Sequence, residues 1–225
     1  MLTPGELDEG YLENVENLPL MESVVMVQLG LDIDPAPDLD SGVNYFYRTY
    51  DISDSVGRLK EGSYHEGEDG FLICNPSLYS PQSAPPGHYA ITIYTVAPDT
   101  PTGFTWADAR EAMADRLLDL AGKRIPDLKD HIVKMEILTP ADFRRITGLA
   151  HHAFGGCAPV MGKPTTPNRT GVEGLWFAGA QGESGAGINN VMEGALRVAR
   201  MIRAEARDSS ALSGRNANRQ WRLSI

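Results

Sequence analysis

Apolar residues fall into five short runs with a strand-like period. Val24–Leu31 (VVMVQLGL) is β-branched and almost continuously apolar, the pattern of a buried strand. Val43–Tyr50 (VNYFYRTY) is aromatic, Phe71–Cys74 is short, and His88–Val96 (HYAITIYTV) alternates most clearly. His131–Leu138 (HIVKMEIL) sets Val133, Met135 and Ile137 on one face. Helical spacing appears at Trp106, Ala109, Met113, Leu117 and Leu120, with Thr105 as the cap and Pro126 as the stop. Thr139-Pro140-Ala141-Asp142 opens a second, short helix that ends near Gly148. Two proline-rich loops, Asp32–Gly42 and the run after Cys74, separate strands. This order is not a βαβα series. It predicts an α+β domain with an antiparallel sheet over residues 1–145.

A different pattern begins at Gly174. GLWFAGAQGESGAGINNVMEGALRVARMI (Gly174–Ile202) reads as a short buried strand, a glycine-rich turn and a long amphipathic helix. Ile188, Val191, Met192, Ala195, Ala199 and Ile202 share a face of that helix. Residues 146–206 are expected to form this second portion. The polar, aperiodic stretch 207–225 reads as a disordered tail.

The formal charge is -10, and it is uneven: residues 1–70 hold 16 acids and 3 bases. An acidic chain argues against a nucleic-acid partner. The acidic third reads as a solvated face, or as a surface for a basic partner. No run is long and apolar enough to span a membrane, so at most peripheral contact is expected. The first residues do not resemble a targeting peptide. The two cysteines, Cys74 and Cys157, form no framework and suit a reducing cytoplasm.

Chemistry concentrates at the glycine-rich turn, where four of the nine residues Gly179–Gly187 are glycine. Such a turn lets backbone approach a ligand closely, and the helix start offers unpaired N–H groups. Phosphate, carboxylate or a reduced flavin would suit it; a turn that merely packs helix on strand is the plain alternative. Gly185-Ala186-Gly187 begins a GxG, but Asn190 stands where the third glycine of a dinucleotide fingerprint belongs, and no GxxxxGK[ST] exists. A hydrolase is disfavoured. Gly182-Glu183-Ser184-Gly185 misses GxSxG at Ala186, and no histidine follows Ser184. His151, His152 and Cys157 match no zinc spacing, so no metal is expected. His152 is the candidate proton carrier. Tyr45, Tyr47 and Tyr94 read as core residues, with the lining of an apolar substrate cavity as the alternative.

Three stretches resemble the phytoene desaturase family of amine-oxidase-like FAD-dependent flavoproteins, which includes carotenoid desaturases and retinol saturase. They are Pro76–Pro98, Ile125–Leu149 and EGLWFAGAQGESGAGINNVMEGALRVA, in which Gly174, Leu175, Gly179, Gly185, Gly187, Gly194 and Ala195 match the C-terminal signature GLYxxGxxxxPGGGVxGxxxSGxxAA. Gln181–Ser184 replaces a histidine-and-proline run, and Ile188-Asn189-Asn190 replaces GVxG. The resemblance implies a mixed-sheet substrate domain, plus a strand–turn–helix that completes a Rossmann-like FAD-binding domain. It implies FAD contacts from Gly179, Ala180, Gly187, Ile188 and Asn189, and hydride transfer on an apolar or amphipathic substrate. Family members begin with a GxGxxG element that this chain lacks. The expectation is therefore a C-terminal half or subunit, partnered by a chain that carries it. A non-catalytic substrate-domain remnant that binds a lipid or carotenoid is the alternative.

Overall fold

The fold is a computed structural model that describes residues 5–18, 21–149 and 165–220. Two compact units divide the chain: Met21–Gly155, and Met1–Leu20 together with Gly156–Ile225. Among the described residues no helix is long and apolar enough to cross a membrane.

The unit Met21–Gly155 is built on a five-stranded antiparallel sheet. Its strands are β1 (Ser23–Leu31), β2 (Val43–Tyr47), β3 (Gly70–Cys74), β4 (Tyr89–Ala97) and β5 (Ile132–Leu138), in spatial order β2-β3-β4-β1-β5. Strand period decides which side is the core. Val25, Val27, Leu29 and Leu31 of β1 lie level with Ile91 and Ile93 of β4, and Ile73 of β3 joins them. All are buried on one face, where the 17-residue helix α3 (Trp106–Gly122) brings Leu117, Leu118, Leu120 and Ala121. Each buried aliphatic side chain contributes about 1.5–3 kcal/mol, so this face dominates the stability of the unit. Of the residues expected on the apolar face of α3, Trp106, Ala109, Leu117 and Leu120 are buried.

Local signals are met at the helix ends. Thr105 accepts from the Asp108 N–H and caps α3. The N–H and the hydroxyl of Thr139 both donate to the Asp142 carboxylate, at 2.9 and 2.8 Å, opening helix α4 (Pro140–Thr147). Arg110 adds an ion pair to Asp142 at 2.9 Å. Burial pushes the Asp142 carboxyl up, but its bonds from Thr139 and the neighbouring Arg110 outweigh this and hold it below the usual carboxylate range.

Several expectations are corrected. Tyr45 and Tyr47 are not core: they are 61% and 62% exposed and stack in parallel on the side of the sheet away from α3. Register places Tyr94 on that same side. Aromatic composition signals a strand but does not say which face is covered. Val133 and Met135 are exposed too, since the β1–β5 pairing shifts at Gly30/Leu31 and β5 is an edge strand. Helix α2 (Ile52–Lys60), capped by Asp51, is an element of nine residues that the strand and loop signals around it did not announce.

The other unit holds α1 (Glu9–Glu16), the segment from residue 165 onward, and α5 (Ile188–Gln220). Asn14 and Tyr11 of α1 donate to the carbonyls of Thr165 and Pro167 at 3.1 and 3.4 Å. The strand expected at Gly174–Gly179 is absent. Two isolated bridges stand in its place, Arg169 with Trp176 and Thr166 with Gly182. A ladder needs a neighbouring strand, and the 166–170 stretch supplies only single contacts. α5 runs past the expected end at Ala206 to Gln220, because extending a formed helix costs far less than nucleating one.

Candidate functional site

The glycine-rich turn is a chain of short local hydrogen bonds. Gly182 N–H donates to Gly179 O at 3.0 Å, Gly185 N–H to Gly182 O at 2.9 Å, and Val191 N–H to Gly187 O at 2.9 Å. That last bond is the first of α5. The N–H groups of Ile188, Asn189 and Asn190 therefore precede any intrahelical acceptor and stand at the positive end of the helix dipole. Gly179, Gly185 and Gly187 adopt φ of 146°, 78° and 100°, which side chains rarely tolerate. A Cβ added at Gly179 or Gly185 would meet nothing within 4 Å. At these positions glycine serves backbone conformation and leaves open space beside the chain.

Contacts beyond the turn's own glycines hold it in place. Asn168 is buried, and its Nδ2 donates to Phe177 O at 2.9 Å while its carbonyl accepts from Phe177 N–H at 2.8 Å. Its backbone N–H donates to Glu183 Oε1 at 2.9 Å, and Glu183 pairs with Arg197 of α5 at 3.6 Å. Gly194 presses α5 against Ser184: an added Cβ would sit 2.7 Å from Ser184 Cβ and closer still to its Oγ. Thr166 Oγ1 and Asn168 Oδ1 are buried without a hydrogen-bond partner among the described residues. Open backbone and helix N–H groups are chemistry that fits an anionic, hydrogen-bonding group such as a flavin nucleotide.

Of the expected site residues, Gly179, Ala180, Gly187, Ile188 and Asn189 all lie on this turn or at the start of α5. His152, with His151 and Cys157, lies outside the described residues. Sequence reasoning missed Asn168, Glu183 and the Ser184–Gly194 contact. The one available signal was an acid in the middle of a glycine-rich turn.

The apolar face of α5 is split. Gly194 and Val198 are buried, whereas Ile188, Met192 and Leu196 are 80%, 61% and 56% exposed. Ile202 continues the exposed stripe along the helix.

Comparison with known proteins decides the kinship. No family model matches the chain. It is 27% identical over 144 residues to an all-trans-zeta-carotene desaturase of Myxococcus xanthus, covering 60% of this chain and 27% of that protein. It is 27% identical over 198 residues to a 4,4'-diapophytoene desaturase (4,4'-diaponeurosporene-forming) of Staphylococcus aureus strain MRSA252, covering 80% of this chain and 38% of that protein. The chain is a relative of the carotenoid desaturases. It spans about a third of the length of these relatives. In fold it is similar to an oxidoreductase from Methanosarcina mazei, with a TM-score of 0.52 at 16% identity over 88% of this chain and 38% of that one.

Proposed function

We propose that the chain forms the C-terminal part of an FAD-dependent oxidoreductase that transfers hydride at a C–C or C–N bond of an apolar or amphipathic substrate. The observation that carries this is the Gly179–Gly187 turn, with its open left-handed backbone and the free helix N–H groups that follow it. Bound flavin would supply the redox chemistry. Gly179 and Ala180 would pass along the cofactor's phosphate or ribityl portion. The N–H groups of Gly187, Ile188 and Asn189 would face the flavin ring edge that becomes electron-rich on reduction.

The exposed stripe Ile188–Met192–Leu196–Ile202 is the face on which the GxGxxG-bearing half would complete a Rossmann-like domain. The sheet face bearing Tyr45, Leu72, Tyr94 and Met26 would be the substrate side. His152 would be the candidate proton carrier for this chemistry. A second reading, a binding protein for lipid or carotenoid without catalysis, is favoured by a cavity in the sheet unit that involves no flavin residue.

Co-expression of the chain with a GxGxxG-bearing half, followed by a visible spectrum, tests the proposal. Oxidised-flavin bands in the co-purified pair, and none in the chain alone, are expected. Stoichiometric flavin on the lone chain, or a colourless pair, would overturn it.

A further inference from the structure

Glu183 is the one charged residue between Gly179 and Gly187. A carboxylate in a turn that faces an anionic cofactor is a liability, because like charges repel. Its contacts show a compensating role. Oε1 accepts from the Asn168 N–H at 2.9 Å, and Oε2 faces Arg197 Nη1 of α5 at 3.6 Å. One side chain thus ties the turn both to the 166–170 stretch before it and to the helix after it.

The turn needs such ties. Glycine has the widest choice of backbone conformation, and Gly179, Gly185 and Gly187 are all held at positive φ. The bonds from Gly182 to Gly179 and from Gly185 to Gly182 close loops of a few residues and do not fix the turn against its neighbours. Ser184 packed on Gly194 fixes one side, and the Glu183 carboxylate fixes the other. A second brace, Arg169 with Glu205, joins the 166–170 stretch to α5, and the Arg169 guanidinium lies 4.7 Å over the Trp176 ring. The two contacts of Glu183 differ in kind. The bond from buried Asn168 is charge-assisted and carries the positional force. The pair with Arg197 is long, and its side chains are 39% and 53% exposed, so it adds little stability. Its weight lies in neutralising the carboxylate.

We propose that Glu183 is a positioning residue for the cofactor: it fixes the glycine-rich turn before the flavin nucleotide arrives, and Arg197 cancels its charge toward the nucleotide's phosphates. This role rests on the turn being the flavin seat. A turn already held in its binding geometry binds without first losing the freedom of its glycines, and affinity rises accordingly. A carboxylate stripped of its arginine would lower the affinity again, by a repulsion that salt screens.

Two measurements test it. In the chain alone, without flavin, Glu183→Ala should speed hydrogen exchange at the Asn168 amide, while Glu183→Gln, whose Oε1 still accepts, should stay near wild type. In the chain paired with a GxGxxG-bearing half, FAD is titrated by its fluorescence. Glu183→Ala should bind about tenfold more weakly than wild type, the span of one hydrogen bond to a charged group, and Glu183→Gln should recover most of that loss. Arg197→Met should weaken FAD about threefold at low salt and less at high salt, and Glu183→Gln in the same chain should remove the effect. Circular dichroism should show every variant folded. Unaltered Asn168 exchange in Glu183→Ala, Glu183→Gln as weak as Glu183→Ala, or an Arg197→Met loss that persists beside Glu183→Gln would overturn the proposal. A wild-type pair that binds no FAD would sink the flavoprotein reading itself. A pair that binds FAD equally in wild type and a folded Glu183→Ala would sink the role of Glu183 alone.

Discussion

Gly194→Ala reverses an ordinary expectation. An alanine within an exposed helix is usually worth about 1 kcal/mol over glycine. Here the new methyl would lie 2.7 Å from Ser184 Cβ, where carbon atoms prefer about 3.5–4.0 Å. Rotating the Ser184 hydroxyl cannot relieve a clash at Cβ, so the turn must move away from α5 by on the order of 1 Å. Overpacking of this kind costs about 1–3 kcal/mol, enough to cancel the propensity gain and leave a net loss of about 1 kcal/mol. That corresponds to a fall of about 2–4 °C in Tm for a chain of this size. Ser184→Gly removes the colliding atom. The double variant should therefore recover the loss and show coupling of about 1 kcal/mol or more in a double-mutant cycle. Thermal melts of the wild type, both single variants and the double variant measure this directly. A Gly194→Ala chain that melts higher than wild type, with no coupling to Ser184→Gly, would refute the close packing of turn on helix.

Three further outcomes follow from the geometry. Asp142 has a lowered folded pKa, so its stabilisation is fully present above its unfolded value of about 3.9 and is lost as pH falls through the lower folded value. Asp142→Asn should cost about 1–3 kcal/mol at pH 7, and the gap should begin to narrow below about pH 4 and close as pH falls through the lower folded value. Asn168→Ala removes the side-chain donor to Phe177 O and keeps the backbone bond from Phe177 N–H to Asn168 O, so it should cost about 0.5–1.5 kcal/mol and, by loosening that pair, speed hydrogen exchange at Phe177; unchanged exchange there would count against a clamp. Tyr45→Thr should change stability by less than about 0.5 kcal/mol in chemical denaturation, because the ring is exposed; a loss above about 2 kcal/mol would return it to the core.

Local chemistry made much of the sheet unit legible. The strand period in β1 and β4, the Thr105 cap and the Thr139–Asp142 box each act over a few residues and need no distant partner. What failed depends on tertiary context. Tyr45 and Tyr47 have the composition of buried strand residues, and only the placement of α3 on the opposite face leaves them open. The Gly174–Gly179 segment has the composition of a buried strand but finds only isolated bridges. At the site, the glycines announced themselves through spacing. Asn168 could not, since its role depends on reaching Phe177 and Glu183 across 9 and 15 residues.

Gly179 tests the central claim most directly. Flavin titration of the chain paired with a GxGxxG-bearing half should show saturable binding for the wild type. Binding should be lost in Gly179→Val, whose branched side chain would occupy the open space and resist a φ of 146° at a cost of about 1–3 kcal/mol. Gly179→Ala, with the smaller intrusion, should fall between the two, and circular dichroism should show all three folded. Equal flavin affinity in wild type and a folded Gly179→Val would contradict the assignment of this turn as the cofactor seat.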